Sequence, residues 1–307
     1  MEMKPTTSGV GNITPAHPPQ AIDNTTLVFL LTHEFNQAFY AWDAALPPRD
    51  GLHASSVLES DADFCVRQHV LAGSFPDERQ QKEQYLSALQ KFVDGCAKHK
   101  KWQFDLLKLT GLVAVNKHGQ LELDLTHVDP DTGIKYSPDV VLAEFAGFVM
   151  PIEIKGINHE DYAGCEELYK RVMHQYDDGS YVFKYEKAQD RRPGIVGASL
   201  QEAMERNKSI RSAYPQVQLY MHLLGLSKGV ILIEDKNTQD FTMWIVDYDA
   251  SIITKPLAHA EDVKEANQEY YDMGLLPQRI CQARNDSRAK RCPFADACFK
   301  RANGGTE

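Results

Sequence analysis

The twenty residues from Ser137 to Gly156 constrain this chain most. Ser137-Pro138-Asp139 leads into an apolar run, Val140–Glu144, and a second run, Phe148–Lys155, follows closely. The second ends in Pro151-Ile152-Glu153-Ile154-Lys155-Gly156, where apolar and charged residues alternate. Successive side chains of a strand point to opposite faces, so Glu153 and Lys155 share one face while Ile152 and Ile154 share the other, apolar one. The pattern predicts two successive strands, with Asp139 just before the first and Glu153 near the end of the second.

Other strands are expected at Leu112–Asn116, Leu121–Leu125, Val230–Glu234 and Phe241–Val246, separated by turn-prone segments such as Lys117-His118-Gly119 and Asp129–Gly133. Helical spacing is read over Ala54–Gly73, over Pro76–Leu109 with a break at Gly95, near 160–176 and 199–212, over Gln216–Leu226 and over Ala258–Met273. Residues 25–46 are apolar and aromatic, a strand or helix packing on the body, and Pro47-Pro48 ends them. The expected class is α/β: a mixed sheet core flanked by helices, with a cysteine-rich C-terminal segment. The expected divisions are a flexible Pro-rich leader (1–22), an accessory segment (23–51), a core (52–276) carrying an insertion at about 157–213, and a metal-binding tail (277–307).

A chain of 307 residues can bury one large core or two modest ones. Its 43% apolar and 25% charged residues exclude wholesale disorder and a small disulfide scaffold. Near the N-terminus the longest apolar run is Leu27–Leu31, far below the roughly 20 residues a membrane helix needs. Residues 1–20 are polar and proline-rich, unlike a signal peptide, so the expected location is cytoplasmic. A net charge of −10 looks wrong for a nucleic-acid binder, but net charge governs steering and solubility rather than one groove. Residues 279–301 hold seven basic residues against two acidic ones, which fits a phosphate-facing segment and equally a solvated helix.

Two carboxylates on neighbouring strands suit Mg2+ or Mn2+, which take hard oxygen ligands. A lysine beside them can orient water or stabilise developing charge, as metal-assisted phosphodiester hydrolysis requires. The bland alternative is a hairpin with an ordinary cross-strand charge pattern. Upstream, a helix would set Gly95, His99 and Gln103 on one face, with Gly95 allowing close approach of the sheet. Gln216 and Tyr220 likewise stand four apart, as they would in any amphipathic helix. With no secretion signal, Cys65, Cys281, Cys292 and Cys298 point to metal binding rather than disulfides. Cys96 and Cys165 read as ordinary buried thiols. Tyr176, Tyr181, Phe183, Lys184, Tyr185, Lys187, Arg191 and Arg192 interleave aromatic and basic residues that could clamp a single strand, or simply form a structural insertion.

Taken in order, these residues resemble the RecB-like branch of the PD-(D/E)XK nucleases in its iron–sulfur form, a group that includes CRISPR-associated and phage exonucleases. The resemblance covers roughly residues 52–301 and implies a restriction-endonuclease-like core. By it, His99 matches the G-x-x-x-H metal ligand, Asp139 the PD aspartate, Glu153 and Lys155 the E-x-K pair, and Gln216 with Tyr220 the Q-x-x-x-Y motif. His99, Asp139, Glu153 and the backbone carbonyl of Ile154 would bind Mg2+ or Mn2+. Cys65, Cys281, Cys292 and Cys298 would hold a 4Fe–4S cluster. Ten residues separate Cys281 from Cys292 where the family pattern reads C-x-x-C-x5-C, so a structural zinc site stays open. The implied activity is a metal-dependent deoxyribonuclease, an exonuclease acting on single-stranded DNA ends in recombination, repair or phage DNA metabolism. The alternatives are a structure-specific or nicking endonuclease, a non-catalytic DNA-binding subunit and a metal-stapled scaffold.

Overall fold

The computed structural model describes residues 24–45, 51–80, 86–105, 127–145, 147–176 and 180–301. The expected leader 1–22 and the strands at 112–116 and 121–125 lie outside the described residues, as do the side chains of Tyr185, Arg191 and Arg192. The chain divides into two units, residues 1–46 with 84–90, and residues 47–83 with 91–307. In the first, the apolar segment is helix α1 (Asn24–Ala45), which exposes Val28, Phe29, Leu31 and Phe35. Among the described residues no helix is long and apolar enough to cross a membrane.

In the second unit, β1 (Leu52–His53), α2 (Ala54–Val57), α3 (Val66–Ser74) and α4 (Leu86–Asp105, which begins in the first unit) precede β2 (His127–Val128) and β3 (Ile134–Tyr136). Next come β4 (Val140–Phe145), β5 (Phe148–Ile157), α5 (His159–Tyr162), β6 (Gly164–Gln175) and β7 (Tyr181–Pro193). The chain closes with α6 (Leu200–Arg206), α7 (Lys208–Leu224), β8 (Lys228–Asp235), β9 (Phe241–Asp247), α8 (Ala250–Met273), α9 (Ser287–Arg291) and α10 (Ala295–Lys300).

The central sheet has the order β4-β5-β8-β9, with β5 and β8 parallel and the other pairs antiparallel. It is covered on both faces, which is why β8 reads as a continuous buried run, Val230 to Ile233. Trp102 of α4 packs with Ile152, Ile154, Val230 and Leu232 on one face. Val217 and Met221 of α7 pack with Ile231 and Ile233 on the other. The β4–β5 ladder stops at Val140–Ile152, whereas β5 stays paired to β8 as far as Ile157. Among the described residues, one edge of Glu153–Ile157 is left without a strand partner, and the site forms there.

Several expected helices are corrected. The span 54–73 is broken between α2 and α3, where the Ser60 hydroxyl donates to Asp63 Oδ2 at 2.7 Å and the Asp63 N–H to the Ser60 carbonyl at 2.7 Å. Such local bonds compete with the helical ladder. The span 76–109 opens with a single 3-10 turn at Pro76–Glu78, and α4, described over Leu86–Asp105, runs through Gly95 unbroken. Residues 164–175 are strand, not helix: β6 pairs with β7 from Gly164–Pro193 to Gln175–Tyr181, and this long cross-strand ladder overrides local helical spacing. Helices α7 and α8 begin before the expected Gln216 and Ala258, and each passes through a proline, Pro215 and Pro256. A proline inside a helix costs about 3 kcal/mol. In α7 the fully buried stripe Ile210, Ala213, Val217, Met221 offsets that, since a buried aliphatic side chain is worth roughly 1.5–3 kcal/mol.

The C-terminal tail is tied to α3 by a fully buried arginine. Arg67 donates to the carbonyls of Pro277 (2.7 Å), Arg301 (3.0 Å) and Cys298 (3.2 Å). The tail's own basic residues are largely engaged within the protein. Arg288 pairs with Asp63 at 3.2 Å, Arg284 with Asp296 at 3.0 Å and Arg301 with Glu78, while Arg279 lies 4.8 Å over the Phe299 ring.

Candidate active site

At the open edge of β5, Asp139 does the work of a missing strand. Its Oδ2 accepts the Ile154 N–H at 2.7 Å, and its Oδ1 lies 3.1 Å from His99 Nδ1. Helix α4 supplies His99 and, one turn later, Gln103, whose amide donates to the Asp139 carbonyl at 2.7 Å. The Ile154 backbone also bonds His99. Gly95, on the same turn pattern, does not mediate close packing as expected: a Cβ there would meet nothing within 4 Å.

Glu153 is 1% exposed, and its Oε1 is bonded by Lys155 Nζ. Its Oε2 is buried and has no hydrogen-bond partner among the described residues. Burial pushes the Glu153 carboxyl well above the ordinary range, and the neighbouring Asp139 adds to this. Burial raises Asp139 too, against the opposing effect of the Ile154 N–H. Burial pulls Lys155 down, but Glu153 and then Asp139 more than offset it, so the ammonium is held above its usual range. His99 is lowered by burial and so presents a neutral imidazole. Two buried carboxyls that resist ionising and an oxygen without a donor fit a site that a small cation would complete. Two carboxylates and an imidazole suit a divalent ion such as Mg2+ or Mn2+. Among the described residues, no three His, Cys, Asp or Glu side chains already surround a common point as metal ligands would. The reason is visible in the pairing, since His99 bonds Asp139 and Lys155 bonds Glu153 directly.

These groups open on a cleft of about 620 Å³. His99, Asp139, Glu153, Ile154, Lys155, Gln216 and Tyr220 all line it, the last two from α7, where the Gln216 amide donates to the Tyr220 hydroxyl at 2.8 Å. Sequence reasoning missed Lys98, Lys135 and Lys236, which also line it. Single lysines scattered over three elements carry no motif; only the alternation of Lys98 with His99 on α4 was there to be noticed. Lys98 crosses β5 at Gly156, where a Cβ would come within 2.8 Å of the lysine stem. Cys96 lines the cleft and is half-buried, as is Cys165, so neither is the fully buried thiol expected.

Cys65, Cys281, Cys292 and Cys298 line a second, small pocket of about 20 Å³, all as free thiols, but among the described residues no three of them are grouped as metal ligands would be. Cys65 sits just before α3, and the other three come from the tail. Burial raises Cys65 and Cys281 and pushes Cys292 up to about 11, with the neighbouring thiols adding to the effect. The Cys292 thiol donates to Gln68 Oε1 at 3.3 Å. The pocket has room for about one water-sized occupant in this arrangement.

No family model and no curated protein matches the sequence. Solved structures with a distantly similar fold include SSO0001, at 13% identity and a TM-score of 0.41 over 89% of this chain and 98% of that one. The alkaline exonuclease LHK-Exo from Laribacter hongkongensis is 12% identical, with a TM-score of 0.38 over 73% of this chain and 93% of its own. A phage-related exonuclease from Haemophilus somnus 129PT is 14% identical, with a TM-score of 0.37 over 73% and 96%.

Proposed function

We propose that this chain is a divalent-cation-dependent deoxyribonuclease, an exonuclease acting on single-stranded DNA ends. The observation that carries the reading is the buried Glu153 carboxylate, with one oxygen lacking a donor, beside Asp139, His99 and Lys155 at the mouth of one cleft. Asp139, Glu153, His99 and the Ile154 carbonyl would hold Mg2+ or Mn2+, which when bound supplies Lewis-acid charge stabilisation and lowers the pKa of water. Lys155, which donates to Glu153 Oε1, would orient the attacking water and stabilise charge developing on the phosphate. Gln216 and Tyr220 form the opposite wall and contact the phosphate or steady Lys155. Lys98, Lys135 and Lys236 line this cleft of an acidic protein; Lys98 and Lys236 pair with Asp94 at 3.7 and 3.5 Å, so a phosphate backbone would compete with that carboxylate for them.

Cys65 and the three tail thiols are assigned to a structural metal site. The sequence resemblance implies a 4Fe–4S cluster and the departure in cysteine spacing leaves zinc as the alternative; metal analysis with an absorption spectrum of anaerobically purified protein separates the two. The central test incubates the protein with end-labelled linear and with circular single-stranded DNA, with and without Mg2+ or Mn2+. Metal-dependent loss of linear DNA with circles intact is expected. Cut circles would make it an endonuclease, and no cleavage in either metal would overturn the reading.

A further inference from the structure

Helix α4 grips two acidic residues with its polar side chains. His99 meets the Asp139 carboxylate and Gln103 donates to the Asp139 backbone carbonyl. Lys98, Lys101 and Trp102, on the adjoining face, converge on Glu234 of β8. Trp102 Nε1 donates to Glu234 Oε2 at 2.5 Å, Lys101 Nζ donates to the same oxygen at 3.1 Å, and Lys98 Nζ donates to Oε1 at 3.4 Å. Glu234 is 1% exposed and pairs in register with Gly156 of β5, one strand away from the Glu153–Lys155 segment. Gly156 has no side chain to obstruct Lys98 on its way across β5.

We propose that Glu234 is a positioning residue for His99: it sets the rotation of α4 over the end of β5, and thereby where the imidazole meets Asp139. The proposal rests on the reading of His99, Asp139 and Glu153 as a cation site. A buried carboxylate left without partners costs several kcal/mol, so α4 is held to the orientation in which all three donors reach Glu234. Adjacent residues of a helix are 100° apart around its axis, so the Glu234 grip and the Asp139 grip act on different faces and together oppose rolling. A 10° roll would move a side-chain tip at roughly 6 Å from the axis by about 1 Å. Metal–ligand distances tolerate only about 0.2 Å. A helix held through Asp139 alone would leave the ligand loosely placed.

The test is calorimetric titration of the full chain with Mn2+, alongside thermal melting. The variants are Glu234→Gln, Glu234→Ala, His99→Ala and the double variant Glu234→Ala/His99→Ala. Glu234→Ala should weaken Mn2+ binding about tenfold, the size of effect seen when a ligand's supporting partner is removed. Glu234→Gln keeps an acceptor for Trp102 but loses the lysine charges, and should fall between. In the His99→Ala background the further change should be less than about twofold, because contributions that act through one group do not add. Additive losses in the double variant, or wild-type affinity in a folded Glu234 variant, would overturn the positioning role while leaving the cation site standing. If Glu234→Ala fails to fold, the cycle is run with Glu234→Gln. A wild-type chain that binds no Mn2+ refutes the cation site and the positioning role together.

Discussion

Asp139 accepts the Ile154 N–H at 2.7 Å, so one oxygen of a proposed metal ligand also closes the edge of the central sheet. Asp139→Asn retains an acceptor for that N–H, and Asp139→Ala does not. Both should abolish cleavage. Only the alanine variant should also lose stability, by about 1–3 kcal/mol, the cost of a buried donor left unmade. Chemical denaturation of the two variants, beside a cleavage assay, checks both halves.

Glu153 and Asp139 are both raised by burial, so the metal-free protein should be more stable in mild acid than in mild base. The sign follows from linkage: a folded value above the unfolded one gives stability that is present below the unfolded pKa and lost as pH rises through the folded value. Saturating Mn2+ should reverse the trend, because the cation takes the ionised carboxylates. Melting temperatures from pH 5 to 8, in EDTA and in Mn2+, are the measurement. Glu153→Gln should flatten the EDTA curve.

His69 shows the opposite dependence. Burial lowers its pKa from 6.5 to about 4, so its contribution is present above 6.5 and lost as pH falls toward 4. The loss is on the order of 3 kcal/mol. His69→Gln removes the titration, and the difference in unfolding free energy between it and wild type should therefore change with pH across this window. A constant difference would refute the assignment.

Two glycines should respond very differently to alanine. At Gly194 the added Cβ would lie 2.3 Å from the Tyr162 carbonyl and the Ala163 backbone, which cannot give way. Gly194→Ala should cost about 3 kcal/mol or more and lower soluble yield. At Gly156 the obstacle is the flexible Lys98 stem, at 2.8 Å. Gly156→Ala should be milder, under about 1.5 kcal/mol, but should weaken DNA binding as Lys98 is pushed aside. Denaturation and a fluorescence binding assay separate the two cases.

Much of the sheet was legible because the end of β5 alternates apolar and charged residues and β8 is a continuous apolar run, patterns that burial enforces. Glu153-Ile154-Lys155 could be given faces from alternation alone. The starts of α7 and α8 were placed too late: both helices run through a proline, Pro215 and Pro256, where burial of one helical face outweighs a lost backbone bond, a comparison that needs the tertiary partner. The β6–β7 hairpin was missed for a related reason, since its strands are specified by each other across the turn. Within the site, residues with motif spacing were findable, whereas Glu234 lies in an ordinary strand and gains meaning only from the three side chains of α4 that reach it.

Arg67 reaches three carbonyls of the tail from inside the core, and this attachment involves no cysteine side chain. The segment that carries Cys281, Cys292 and Cys298 is thus held to the segment that carries Cys65 by bonds that are indifferent to the redox state of the thiols. Reagents that oxidise or alkylate those thiols would leave this attachment in place.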